Sequence, residues 1–131
     1  MTKPVKNITI TTLDEKSNEV SAAFDTGSFY TIIREDKIPT GAAVLQMLNP
    51  KNFRTAGQGG KLNVTGDISL VMTIGEKMIQ DSALVSPDLI SDMLIGAGTM
   101  QKWHITISNK TGETEIIMDH DMRDPEITEV D

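Results

Sequence analysis

The sequence predicts an all-β domain, a barrel or a sandwich, on three observations. Short segments rich in Val, Ile and Thr alternate apolar with polar residues along the chain. Clusters of Gly, Pro, Asn and Asp punctuate them. No long amphipathic helical pattern is present, which argues against a Rossmann or P-loop architecture, and neither phosphate-binding glycine motif occurs. The pattern amounts to about eight strands and one or two short helices. At 131 residues the chain suits one domain with a real core.

The elements follow in order. Val5–Leu13 reads as a strand, Asp14–Asn18 as a polar turn, and Glu19–Phe24 as the returning strand of a hairpin. Tyr30–Ile33 is β-branched and aromatic and reads as a third strand, leading into the charged corner Arg34–Lys37. Ala42–Leu48 reads as a helical turn ended by Asn49-Pro50. Lys51–Lys61 holds Ala56-Gly57-Gln58-Gly59-Gly60, the composition of a hairpin tip. Leu62–Ile74 is a long strand with a bend at Gly66, and Ile68, Leu70, Met72 and Ile74 share one face. A turn at Gly75–Lys77 leads to the partner strand Met78–Val85. Leu94-Ile95-Gly96 reads as a strand packed closely on other backbone. Thr99–Trp103 is a short helix with Gly98 or Thr99 as its N-cap. His104–Ser108 and Glu113–Met118 flank a last hairpin turn at Asn109–Gly112. No solenoid or propeller repeat is visible.

Composition removes several function classes. The chain has no cysteine, so disulfides and thiolate metal sites are excluded. Net charge is −7, which disfavours a nucleic-acid partner, since phosphate binding needs clustered Lys and Arg. Much of the excess lies in Asp119, Asp121, Asp124, Glu126, Glu129 and Asp131, read as a solubilising acidic tail. No stretch is long enough to span a membrane and no signal-peptide pattern follows Met1, so a cytoplasmic protein is expected. The three Asn-x-Thr triplets at Asn7, Asn63 and Asn109 read as coincidence in a Thr-rich chain. The two histidines, His104 and His120, offer neither a metal-ligand spacing nor a Ser–His–Asp constellation. Trp103 and the eight methionines read as core fillers.

The chemistry-bearing stretch is Ala23-Phe24-Asp25-Thr26-Gly27-Ser28. An Asp between two buried-looking strands is costly unless its oxygens are used. Gly27 permits a tight turn, and Thr26 and Ser28 supply hydroxyls. Asp25 is therefore a candidate catalytic carboxylate; an Asx turn at a strand end is the plain structural reading. The glycine-rich hairpin likewise reads either as a flexible loop or as a flap whose bare backbone approaches a ligand.

Asp25-Thr26-Gly27-Ser28 after an apolar strand, the Gly57–Gly60 hairpin tip, and Leu94-Ile95-Gly96 before a short helix together resemble the retropepsin-type aspartic proteases. These are the proteases of retroviruses and retroelements and related single-domain cellular proteins. The resemblance covers roughly residues 5 to 108. It implies a closed β-barrel of the acid-protease type over residues 1–118, followed by the tail 119–131. It implies a homodimer, because one chain carries one Asp motif and the reaction needs two carboxylates that share a proton. One carboxylate activates water and the other assists the carbonyl of a peptide substrate, with no metal or cofactor. By the same resemblance Thr26 bonds across the dimer axis, Gly27 faces the substrate backbone, and Ser28 steadies the Asp25 carboxylate. Ala56, Gly57, Gln58, Gly59 and Gly60 form the flap, and Leu94, Ile95 and Gly96 pack beneath the catalytic loop.

The chain departs from the pattern where Phe29 and Ala97 stand in place of a charged pair that braces retroviral dimers. The only tyrosine, Tyr30, lies beside Asp25 rather than in the flap. The segment beyond Ser108 is longer than a minimal retroviral protease needs, which points to Glu113–Met118 or the tail for the dimer interface. These departures favour a cellular type over a viral one. The rival readings are a peptide-binding or dimerisation module that cleaves little, and a phosphate-handling enzyme. The second calls for a larger, two-lobed chain.

Overall fold

The computed structural model describes residues 3–54, 60–108 and 115–118. Nine strands and two short helical segments occur among them. They are β1 (Val5–Thr12), β2 (Ser17–Asp25), β3 (Ile32–Arg34), a 3-10 turn (Glu35–Lys37), β4 (Leu45–Arg54), β5 (Lys61–Ile74), β6 (Lys77–Ser86), β7 (Met93–Gly96), α1 (Ala97–Lys102), β8 (Ile105–Ser108) and β9 (Glu115–Met118).

Six strands close a barrel in the order β1-β2-β7-β3-β6-β5, and β5 returns to β1. Closure removes the free edges that an open sheet of this size exposes. β5 makes closure possible through its length. Its first half pairs with β4, from Lys61 to Asp67. Its second half pairs with β6 on one side and with β1, at Leu70–Thr73, on the other. Two pairings are parallel, β2 with β7 and β3 with β6, and the rest are antiparallel.

Period-two alternation places the core. Along β5 the side chains of Leu62, Val64, Ile68, Leu70, Met72 and Ile74 are all buried, and their neighbours are not. Ile68, Leu70, Met72 and Ile74 join Ile8 and Ile10 of β1, Phe24 of β2, Ile33 of β3 and Met93 and Ile95 of β7 in one cluster. Trp103 packs half-buried against it, as expected of a core residue, although its Nε1 is buried without a partner among the described residues. A smaller cluster of Ile32, Leu62, Val64, Leu89 and Leu94, with Met47 and Phe53 packed on it, links the β4–β5 hairpin to β3 and β7. At the charged corner Arg34 donates to Asp36 Oδ1 at 2.7 Å and to the Ile90 carbonyl at 2.9 Å. The hydrogen bond from Arg34 holds the Asp36 carboxyl below its ordinary pKa. No helix among the described residues is long and apolar enough to cross a membrane.

Three expectations are corrected. Residues 42–48 do not form a helical turn; Leu45–Arg54 is the strand β4, the additional strand beyond those expected. Helix-favouring Ala, Leu, Gln and Met are overridden by pairing with β5. Pro50 is tolerated because it falls in the register break between Gln46 and Lys51, where no ladder bond is required of it. Gly66 makes room for this approach: a Cβ there would meet Val44 Cγ1 at 2.8 Å. The third strand begins at Ile32 and leaves Tyr30 in an exposed loop. The N-cap of α1 is Gly96, not Gly98 or Thr99, and no side chain caps it. The last hairpin does form, as a separate two-stranded sheet pairing Ile105 with Met118 through Ser108 with Glu115. Its turn residues and the tail 119–131 lie outside the described residues.

Candidate active site

Asp25 is the last residue of β2, and β7 runs parallel beside it with Asp25 in register with Gly96. The loop that follows Asp25 folds back over the start of α1. Ala97 donates its amide to the Ser28 carbonyl at 2.6 Å, and Gly98 donates to the Phe29 carbonyl at 3.0 Å. Gly96 must be glycine for lack of room, not for its backbone angles. An added Cβ would lie 2.6 Å from the Phe29 carbonyl oxygen and closer still to that of Tyr30. Gly96 thus packs beneath the Asp25 loop, and Leu94, Ile95 and Gly96 are all buried.

The carboxylate is held from two sides. Oδ1 accepts the Gly27 amide at 2.9 Å, and Oδ2 lies 3.2 Å from Lys3 Nζ. The Asp25 side chain remains 22% exposed, so it is sheltered but open to a reactant. Ser28 does not reach it. Its hydroxyl donates to the Tyr30 carbonyl at 3.1 Å, and its amide donates to the Asp25 carbonyl at 3.2 Å. The steadying role expected of Ser28 therefore falls to the Gly27 amide, because the turn aims that N–H at the carboxylate. The Thr26 hydroxyl makes no hydrogen bond among the described residues. Thr26 lines an open groove with Met100, Gln101, His104, Ile105 and Ile107.

Of the flap residues, Ala56, Gly57, Gln58 and Gly59 lie outside the described residues, and Gly60 is exposed at the foot of β5. β4 and β5 pair antiparallel on either side of them, as far as Arg54 with Lys61, and make a two-stranded arm. Aromatic rings connect it to the Asp25 loop. Phe29 meets Tyr30 edge to face at 5.3 Å, and Tyr30 meets Phe53 of β4 at 5.3 Å. Phe29 and Tyr30 are both exposed. Where a charged brace was absent from the sequence, an apolar ring thus lies over Gly98, whose Cβ would stand 3.0 Å from Phe29 Cζ.

A polar chain supports the loop from behind. The Gly96 amide donates to Thr31 Oγ1 at 3.1 Å, and Thr31 shares a buried hydrogen bond with Thr99. Thr99 donates to Asp81 Oδ2 at 2.9 Å, and Lys102 donates to Asp81 Oδ1 at 2.9 Å. Nothing local in the sequence indicates this set, because its members come from three separate segments. Lys3 was also missed, although the period of the β1–β2 hairpin points to it. Asp81→Ala removes the acceptor that terminates the chain and leaves Thr99 without it. The expected loss is about 1–3 kcal/mol in stability, read from the urea midpoint. Unchanged stability would show that the chain carries no load.

Comparison with known proteins agrees with this geometry. The family described as retroviral aspartyl protease matches residues 1–108. No curated protein matches the sequence. Among solved structures, the retroviral protease-like domain of Ddi1 from Leishmania major superposes with a TM-score of 0.64. It is 15% identical, and the match covers 97% of this chain and 96% of that one. The EIAV protease, solved with the inhibitor HBY-793, gives a TM-score of 0.56 at 15% identity, covering 76% of this chain and 86% of that one. The barrel, the Asp25 loop seated on Gly96, and a match over most of the chain lead to one assignment. The chain belongs to the retroviral aspartyl protease family.

Proposed function

We propose that the chain is an aspartic endopeptidase that works as a homodimer, with Asp25 from each copy forming one site. The observation that carries this reading is the seating of Asp25. It ends a barrel strand, keeps a partly open carboxylate, and is held by the Gly27 amide at 2.9 Å. One carboxylate alone supplies a base but no acid. Two brought together share a proton, so one takes a proton from water while the other donates to the carbonyl oxygen. Thr26, exposed beside Asp25, is positioned for a bond between copies, and Gly27 offers its carbonyl to the peptide backbone. Ser28, Ala56, Gly57, Gln58, Gly59 and Gly60 complete the substrate cleft, where an extended peptide adds as a strand. The absence of cysteine suits a reducing compartment such as the cytoplasm.

The test is digestion of a peptide library at several protein concentrations, with sedimentation on the same samples. Cleavage per chain should fall on dilution in step with the dimer fraction. Cleavage that persists in a purely monomeric sample would overturn the shared site. The second reading, a binding module, draws on Phe29 and Ala97, which leave the dimer without its charged brace. An intact dimer that binds library peptides and cleaves none would select it.

A further inference from the structure

The loop that carries Asp25 hangs on three consecutive amides at the start of α1. Ala97 and Gly98 donate theirs to the backbone carbonyls of Ser28 and Phe29, bonds that do not depend on which side chains stand there. Gly96 donates to a side chain instead, the Thr31 hydroxyl at 3.1 Å, just past the point where the β3–β7 ladder ends with Ile32 opposite Leu94. Thr31 and Thr99 are 5% and 4% exposed, so their partners decide where each hydroxyl hydrogen points. A hydroxyl has one hydrogen to give, and a carboxylate oxygen only accepts. Thr99 gives its hydrogen to Asp81 Oδ2 at 2.9 Å. It therefore accepts from Thr31 in the bond they share, and the Thr31 oxygen is left to accept the Gly96 amide. The chain runs one way, from Gly96 through Thr31 and Thr99 to the Asp81 carboxylate that ends it.

Asp81 is held so as to keep that direction. Its Oδ1 accepts Lys102 Nζ at 2.9 Å and the Ser82 amide at 2.8 Å, which leaves Oδ2 to Thr99. We propose that Asp81 is a positioning residue for Asp25, acting through the Thr99 and Thr31 hydroxyls on the Gly96 amide. This rests on the protease reading above and adds to it a residue that never touches substrate. Gly96 is the register partner of Asp25, so whatever places the Gly96 amide also places the end of β2. The Gly27 amide then holds the carboxylate itself, at 2.9 Å. If the group at position 81 donated instead of accepting, Thr99 would turn its hydrogen toward Thr31. The Thr31 hydrogen would then lose its acceptor beside the Gly96 amide. A buried hydroxyl hydrogen left in that state is costly, and the chain shifts to relieve it.

The test is Asp81→Asn in the full chain, with kcat and KM for a cleaved peptide measured on samples that sedimentation shows to be dimeric. Asn has the same size but one oxygen, which Lys102 and the Ser82 amide claim, so its NH2 group faces Thr99. The expected result is a fall in kcat of about five- to fifty-fold with KM within about two-fold of wild type. The Gly27 amide proton, which reports the bond to Asp25, should shift in the NMR spectrum. Thr99→Val cuts the chain at its middle and should lower kcat by a similar factor, while Thr99→Ser should return it to within about two-fold of wild type. Asp81→Asn combined with Thr99→Val should be no slower than the slower single variant, because both break one chain. Should Asp81→Asn fail to fold, the two Thr99 variants decide by the same readouts. Wild-type kcat and an unmoved Gly27 signal in a destabilised Asp81→Asn overturn the proposal and leave the protease reading standing. An additive double variant does the same. Peptides left uncut by the wild-type dimer remove the protease reading, and the positioning role with it.

Discussion

Asp25→Asn should abolish peptide cleavage while leaving the fold intact. Asn keeps the size of the side chain and an oxygen able to accept the Gly27 amide, so the turn after β2 retains its bond. What it loses is the basic oxygen that takes a proton from water and the charge that faces Lys3. General acid–base assistance from one positioned group is worth roughly 10²–10⁴-fold in rate, and the loss should be at least that large. The measurement is kcat/KM on a cleaved peptide from mildly acidic to neutral pH, beside a thermal melt. A melt within a few degrees of wild type separates lost chemistry from lost structure. Equal cleavage by both proteins would take Asp25 out of the mechanism.

The second large effect belongs to a residue that does no chemistry. Gly96 has φ −91°, an angle any residue adopts, so conformational freedom does not explain it. Its neighbours do. The Phe29 and Tyr30 carbonyls occupy the space of a Cβ, and they are backbone atoms that cannot rotate away. The Ala97 and Gly98 amides hold that stretch of loop in place from the other side. Gly96→Ala must either force β7 from β2 or lift the Asp25 loop. Overpacking of this kind costs about 1–3 kcal/mol or more, a fall in Tm of roughly 5–15 °C. Because Asp25 and Gly96 are register partners, activity should fall further than stability alone accounts for. A variant with wild-type melting and kinetics would show that the loop yields freely.

The sequence made the barrel strands legible where burial alternates cleanly. β5 is the clearest case, since its buried residues keep one phase from Leu62 to Ile74. Leu94-Ile95-Gly96 was legible for a different reason: a Gly closing an apolar run signals backbone pressed on backbone. β4 was not legible. Leu45 and Leu48 are exposed while Met47 and Phe53 pack on the smaller cluster, so its apolar residues mark no single face, and Pro50 breaks the pattern expected of a strand. Within the site, the Asp25 turn could be read from its residue types, but the choice between Gly27 and Ser28 as the carboxylate's partner depends on turn geometry. Thr31, Thr99 and Asp81 meet only through tertiary packing, and no local pattern marks such a set.

β4 lies outside the closed ring and, among the described residues, pairs with β5 alone. The six barrel strands each have neighbours on both sides, whereas β4 has one free edge. Its amides should therefore exchange with solvent through small local openings, while those of β2 and β7 wait for global unfolding. Tyr30 against Phe53 is the aromatic contact that ties this arm to the Asp25 loop. The hairpin can thus move by giving up that contact and the packing of Met47, Phe53, Leu62 and Val64 on the smaller cluster, with no hydrogen bond of the ring given up. Access to the carboxylate and integrity of the barrel become separate free energies, and a mutation can change one without the other.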